Sequence, residues 1–137
     1  MKSIRISLPV FLTATLLGCN NIISTDLSIA KEARVIITGT SSVPLRLLFT
    51  RDFTQTRDEN NTIQVSIFSL DSMNVTLPFD RKFPFDGSDR YLFRLANRDL
   101  NATATVRMQL LVDGKQAYDQ SATLRDAYLQ LTFFNTQ

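Results

Sequence analysis

From Ala33 onward, short segments rich in Val, Ile, Thr, Phe and Tyr alternate with polar turn clusters. The turns recur about every ten residues, the spacing of an all-β sandwich or barrel. Within the segments the apolar residues recur at every second position. Ile63, Val65 and Ile67 alternate with Gln64 and Ser66; Met73, Val75, Leu77 and Phe79 alternate with Asn74, Thr76 and Pro78. Tyr91, Phe93 and Leu95 flank Leu92 and Arg94, and Val106, Met108, Leu110 and Val112 flank Arg107, Gln109 and Leu111. Period two sorts side chains onto the two faces of a strand, whereas a helical stripe needs 3.6. Arg34 to Thr40, Leu45 to Phe53 (Leu45, Leu47 and Phe49 on one face) and Tyr128 to Phe134 add further strands. The polar "TQTRDENN" has the composition of a hairpin tip. A helical turn could intrude only in "NRDLNATA" and "SATLRDAYLQL". The expectation is an all-β fold: an Ig-like antiparallel sandwich of seven or eight strands, antiparallel because the connections are too short for crossovers. It lacks the Trp and the paired Cys of true immunoglobulin domains.

Local chemistry sharpens this. Pro78 cannot donate to a ladder, so its strand ends at an edge or exit position. Asp113-Gly114 signals a hairpin. A two-residue loop would set Val106, Met108 and Leu110 on the face of Ala117, Asp119 and Ser121. One extra residue aligns them with Tyr118, Ala122 and Leu124, because a slip of one exchanges the faces. The apolar match favours a three-residue loop with a bulge at Gly114.

The N-terminus is different in kind. Lys2 and Arg5 precede an apolar run from Ile6 to Leu17, too short to span a bilayer that needs about 20 residues, and it reads as a signal peptide. The run closes on Leu16-Leu17-Gly18-Cys19, which resembles the lipobox of bacterial lipoproteins. That resemblance implies residues 1–18 as a cleaved signal, a diacylglyceryl group on the Cys19 thiol and often an acylated new amine. Residues 19–32 then form the lipidated N-terminus and tether, and 33–137 the sandwich. Asn20 in place of Asp implies, by the enterobacterial sorting rule, the outer membrane facing the periplasm. The alternatives are an ordinary secreted chain or a buried thiol. An unpaired Cys in a secreted protein calls for a reason, and lipidation supplies one for both its number and its position.

Composition matters once the signal is set aside. Of 15 basic residues two lie in it, leaving 13 against 13 acids over 119 residues (137 minus 18). A neutral domain gives no reason to expect nucleic acid, which calls for a clustered positive face. With no Cys besides Cys19, stability must come from an apolar core, for which 10 Phe and 3 Tyr are available.

The chain contains no histidine, which removes the commonest general base and metal ligand and the Ser-His-Asp arrangement. Lipidation would consume the only thiol. Lys31, Lys82 and Lys115 stand in no Ser-Lys motif and read as exposed. No catalytic residue, metal or cofactor is expected. Asp80, Asp86 and Asp89 offer hard oxygen ligands of the type calcium takes, but lack a calcium-loop spacing and are interleaved with Arg81, Lys82 and Arg90, so a solvated turn is preferred. Phe79, Phe83 and Phe85 in the same segment are either core or an exposed apolar patch, and in the second case form the candidate partner surface. Asn60, Asn74 and Asn101 head glycosylation sequons and are read as ordinary polar residues in a bacterial context.

Two blocks carry a family resemblance. Val75 to Phe83, "VTLPFDRKF", and Val106 to Lys115, "VRMQLLVDGK", with the earlier "IITGTSS", resemble the soluble domain of mycobacterial small membrane proteins of the MmpS type and similar Ig-like or transthyretin-like envelope domains. Taken generously the likeness spans Arg34 to Phe134. It implies a β-sandwich and an accessory role beside a lipid or siderophore exporter. Members of that family are held by a transmembrane helix and commonly carry cysteines in the soluble domain; here a lipobox and a single Cys stand instead. The functional expectation is a non-enzymatic, lipid-anchored envelope protein that binds another envelope protein, with a transporter as one candidate. The alternative is a small-molecule or lipid carrier with a cavity between its sheets.

Overall fold

The computed structural model describes residues 30–134. The expected signal, Cys19 and most of the expected tether lie outside the described residues. Ten strands run in the order β1 (Glu32–Thr40), β2 (Leu45–Thr50), β3 (Phe53–Arg57), β4 (Ile63–Ile67), β5 (Asp71–Val75), β6 (Phe79–Pro84), β7 (Arg90–Asn97), β8 (Ala104–Val112), β9 (Lys115–Leu124) and β10 (Ala127–Phe134). Among the described residues there is no helix. Eight strands form two four-stranded sheets, β6-β1-β8-β9 and β10-β7-β2-β5, while β3 and β4 pair only with each other. Every pairing is antiparallel.

The topology is Ig-like with one rearrangement. β1, β2, β6, β7 and β10 occupy the places of immunoglobulin strands B, C, E, F and G: E beside B in one sheet, F between C and G in the other. The place beside B that strand A fills in an immunoglobulin domain is taken by β8, which arrives with β9 between F and G.

The period-two residues meet between the sheets. Ala33, Val35 and Ile37 of β1 and Val106, Met108 and Leu110 of β8 are buried against Leu45 and Leu47 of β2, Phe93 and Leu95 of β7 and Leu131 of β10. Full burial of such a side chain is worth about 1.5–3 kcal/mol. Ala30 is already buried and β1 starts at Glu32, so the packed domain begins just ahead of Ala33. Asp113 fixes this beginning: its carboxylate accepts from the backbone N–H of Lys31 and of Glu32, each at 3.0 Å.

The β8–β9 hairpin brings together the faces expected from sequence, by another route. Val112 pairs with Lys115, so the loop is the two residues Asp113 and Gly114, at φ 47° and 79°, as a type I′ turn requires. The extra residue is instead Ala117, left unpaired where Leu110 faces Tyr118 but Leu111 faces Gln116. This bulge inside β9 restores the register: Val106 lies opposite Ala122 and Ala104 opposite Leu124.

Two expected strands divide. Leu45 to Phe53 breaks at Arg51-Asp52, and Met73 to Phe79 breaks after Val75, with a cis peptide between Leu77 and Pro78. β5 and β6 then lie at the edges of different sheets. β2–β5 and β3–β4 keep one continuous register: Leu45 faces Val75, Phe49 faces Asp71 and Phe53 faces Ile67. They are a single long ribbon, whose outer half leaves the sandwich as an arm. Ile63 is consequently 49 % exposed, although its alternation resembles that of a core strand. At the base of the arm Phe53 is buried, its ring 5.5 Å from that of Phe134.

Candidate functional site

The phenylalanine cluster is core. Phe83 and Phe85 are 4 % and 0 % exposed, and Phe79 is half-buried against the same cluster. Phe83 lies 5.1 Å from Phe93, and Phe85 lies 5.2 Å from Tyr91. These three residues therefore do not make an exposed patch. The reason is that Phe83 alternates inward from β6 and Phe85 turns in at the corner after it, so the two sheets close over their rings. The three aspartates part company, each to its own arginine: Asp80 to Arg34, Asp86 to Arg51 and Asp89 to Arg90. Among the described residues no group of acids is placed to hold a metal. Lys82 pairs with Glu32 at 2.8 Å. Lys31 and Lys115 are exposed, as are Asn60, Asn74 and Asn101.

Recesses of about 370 Å³ and 450 Å³ open at the end of the sandwich remote from the arm. Loop residues line them: Ser41 to Pro44 with Thr76 and Leu77, and Val43 and Pro44 with Asn97 to Asn101. Neither lies between the sheets, where the aromatic rings sit 4.8–6.2 Å apart.

The outer faces of the two sheets differ in charge. On the outer face of the first sheet Arg34, Lys82 and Arg107 each meet an opposite charge, while Arg81 of β6 lies instead against Met73 and over the Phe83 ring. Arg34 Nε donates to Asp80 at 2.8 Å, Arg107 Nε donates to Asp119 at 2.7 Å, and Lys82 meets Glu32. Asp80 and Asp119 are held below the usual carboxylate range, chiefly by these arginine hydrogen bonds. Such exposed pairs contribute little to stability, but they leave the face electrically balanced.

The second sheet is not balanced. β2, β7 and β10 lie side by side, so Arg46, Ala96 and Tyr128 form one row across the outer face and Leu48, Arg94 and Gln130 the next. Among the described residues neither Arg46 nor Arg94 has a carboxylate partner. Arg46 donates to the Ser72 hydroxyl at 3.0 Å. Arg94 donates through Nε and Nη2 to Gln130 Oε1, at 3.0 and 2.6 Å, and its guanidinium stands 4.4 Å from the centroid of the Tyr128 ring. Tyr128 is 52 % exposed and Phe134 37 %. A cation over a ring keeps the guanidinium plane fixed, with N–H groups left to offer a carboxylate. Arginine and aromatic residues together are the composition enriched at the centres of protein interfaces.

This surface was not foreseen from the sequence. Its one visible trace is Arg94, which alternation places opposite Phe93 and Leu95 and therefore outside the core. The protein-family models include none that matches the chain, and no curated protein matches it in sequence. Among the described residues no helix is long and apolar enough to cross a membrane.

Proposed function

We propose that this chain is a non-enzymatic, lipid-anchored envelope protein whose β-sandwich is a binding or accessory module for another envelope protein. Cys19 is the anchor and the periplasmic side of the outer membrane its place, on the strength of the lipobox-like Leu16-Leu17-Gly18-Cys19 and of Asn20. The observation that carries the binding role is the imbalance between the two outer faces: paired charges on the first sheet, and on the second Arg46 and Arg94 beside exposed Tyr128. Electrostatic complementarity then calls for a partner that presents carboxylates to this face. The MmpS-type likeness makes an exporter the first partner to try. A small-molecule or lipid carrier needs an apolar cavity between its sheets, and the packed rings there favour the module over the carrier.

The test is photo-crosslinking in cells from two exposed positions, Asn74 on the second sheet and Ser121 on the first. Asn74 is expected to trap a discrete partner, and the Arg46→Glu, Arg94→Glu variant to lose it while keeping its β-sheet circular dichroism. Equal trapping from both faces, or none from Asn74, contradicts the assignment.

A further inference from the structure

We infer that Phe68 and Leu70, at the bend of the ribbon, form a second contact with the bilayer that holds the lipidated cysteine. The inference rests on the anchored reading of Cys19.

The arrival point of the tether sets which end of the domain faces lipid. Ala30 comes eleven residues after Cys19, a reach of at most about 40 Å fully extended and roughly 18 Å as a flexible coil. The chain enters at the end of the sandwich where Glu32 faces Pro84 and Ala33 faces Val112. The ribbon bends at the same end. Lys31 O accepts from Phe85 N at 3.0 Å, and Phe85 O accepts from Arg51 Nη1 at 2.7 Å, so two hydrogen bonds link the tether to the bend. An anchor at Cys19 thus brings this end, rather than the one carrying Asn97 and Ser41, toward the lipid.

The bend is built to present its apolar residues. Both strands of the ribbon turn sharply, at Arg51 and at Phe68, and the register of the two halves sets Phe68 opposite Asp52, one residue past the bend at Arg51. Beyond the bend Phe53 folds onto Phe134 and is buried. Phe68 is 66 % exposed and Leu70 44 %. The backbone N–H of Phe68 donates to Asp52 O at 3.0 Å, which fixes the main chain that carries the exposed ring. Large apolar side chains left in water mark a contact surface, and those anchored a short tether from a membrane have hydrocarbon as their nearest apolar phase. The two chains of a diacylglyceryl group already hold a protein stably, so this contact sets the orientation of the domain on the lipid rather than its residence there.

The contact is with the apolar interface and not with anionic headgroups. Near the bend Arg51 and Arg90 are already paired with Asp86 and Asp89, and the tip of the arm carries Asp58 and Glu59. Uncharged lipid therefore suffices.

The chain contains no tryptophan, so Phe68→Trp in the lipidated protein is a sole reporter. The probe is phosphatidylcholine vesicles, with and without bromine on the acyl chains. Most of the indole emission of this variant is expected to be lost in the brominated vesicles. A Leu70→Trp variant is expected to behave alike, and Leu100→Trp, exposed at the opposite end, to keep its emission. Vesicles that float with the protein while Phe68→Trp and Leu70→Trp emit equally in both lipids overturn this contact and leave the anchor standing. Equal quenching of Leu100→Trp overturns the orientation. A protein that does not float removes the anchor, and this contact with it.

Discussion

The Tyr91 hydroxyl donates to the carbonyl oxygen of Pro84 at 3.1 Å, across the corner where the chain passes from β6 in one sheet to β7 in the other. Tyr91 is buried, and burial pushes its phenol above the ordinary value. A tyrosine near the start of strand F that bonds back across the E–F corner is a mark of immunoglobulin-type sandwiches, and there a cysteine follows two residues later. Here that place belongs to Phe93, stacked on Tyr91 at 4.8 Å. Packed rings hold the centre where a disulfide would otherwise join the sheets. Tyr91→Phe keeps the ring and loses the bond, so urea denaturation should show a loss of about 1 kcal/mol. An unchanged midpoint would mean the corner is held by packing alone.

Asn97 is buried at the opposite end and joins three segments. Its Nδ2 donates to Ala102 O at 2.7 Å and Leu124 O at 2.9 Å, and its Oδ1 accepts from Asp99 N at 3.0 Å. Asn97→Ala should cost about 2 kcal/mol or more, because buried carbonyls lose their donor. Asn97→Asp should be worse at neutral pH, since it turns a carboxylate oxygen toward two carbonyls. Part of that excess should return on acidification as the group takes up a proton. If the two variants unfold at the same urea concentration at pH 7, this bonding scheme is wrong.

Gly39 is the position in β1 where a side chain has no room. Its φ is 127°, and an added Cβ would stand 2.0 Å from the carbonyl oxygen of Thr105 on the neighbouring strand. Gly39→Ala should destabilise by roughly 2 kcal/mol or more, through left-handed backbone strain together with the clash. Thermal unfolding would check this, and wild-type stability in the variant would refute it.

The acid response follows from the aspartates. Thr62 holds Asp58 low, chiefly through its backbone N–H, while arginine hydrogen bonds hold Asp80, Asp89 and Asp119 low. A carboxyl group whose native pKa is depressed contributes fully above its unfolded value of about 3.9, and the contribution drains as pH falls through the lower native value. The urea midpoint should therefore be flat between about pH 5 and 8, because the chain has no histidine to titrate there, and should fall below pH 4. A drop inside the flat window would contradict the assignment.

How much of this was legible in the sequence depends on the range over which each feature is encoded. Period two and turn spacing identified the strands, and the apolar match of Val106 and Leu110 to Ala122 and Tyr118 identified the β8–β9 register. The location of the bulge at Ala117 was not visible, because a loop insertion and a strand insertion give the same faces. Alternation also placed Ile63, Val65 and Ile67 in a strand without revealing that the ribbon had left the sandwich. It shows that two faces differ, not that one meets a second sheet. Phe79, Phe83 and Phe85 were ambiguous for a related reason: exposure at a corner depends on what closes over it, here Tyr91, Phe93 and Phe133. The Arg46, Arg94 and Tyr128 surface left only Arg94 as a trace, since it assembles from β2, β7 and β10, and the even count of 13 basic and 13 acidic residues after Gly18 conceals its asymmetry.

The envelope partner and the bilayer contact both depend on a sandwich held at a membrane by Cys19. The most direct measurement is intact mass spectrometry of the protein purified from its native membrane. A chain that begins at Cys19 and carries a diacylglyceryl group is the result expected. A free Cys19 thiol, or a leader still joined through Gly18, would contradict the account.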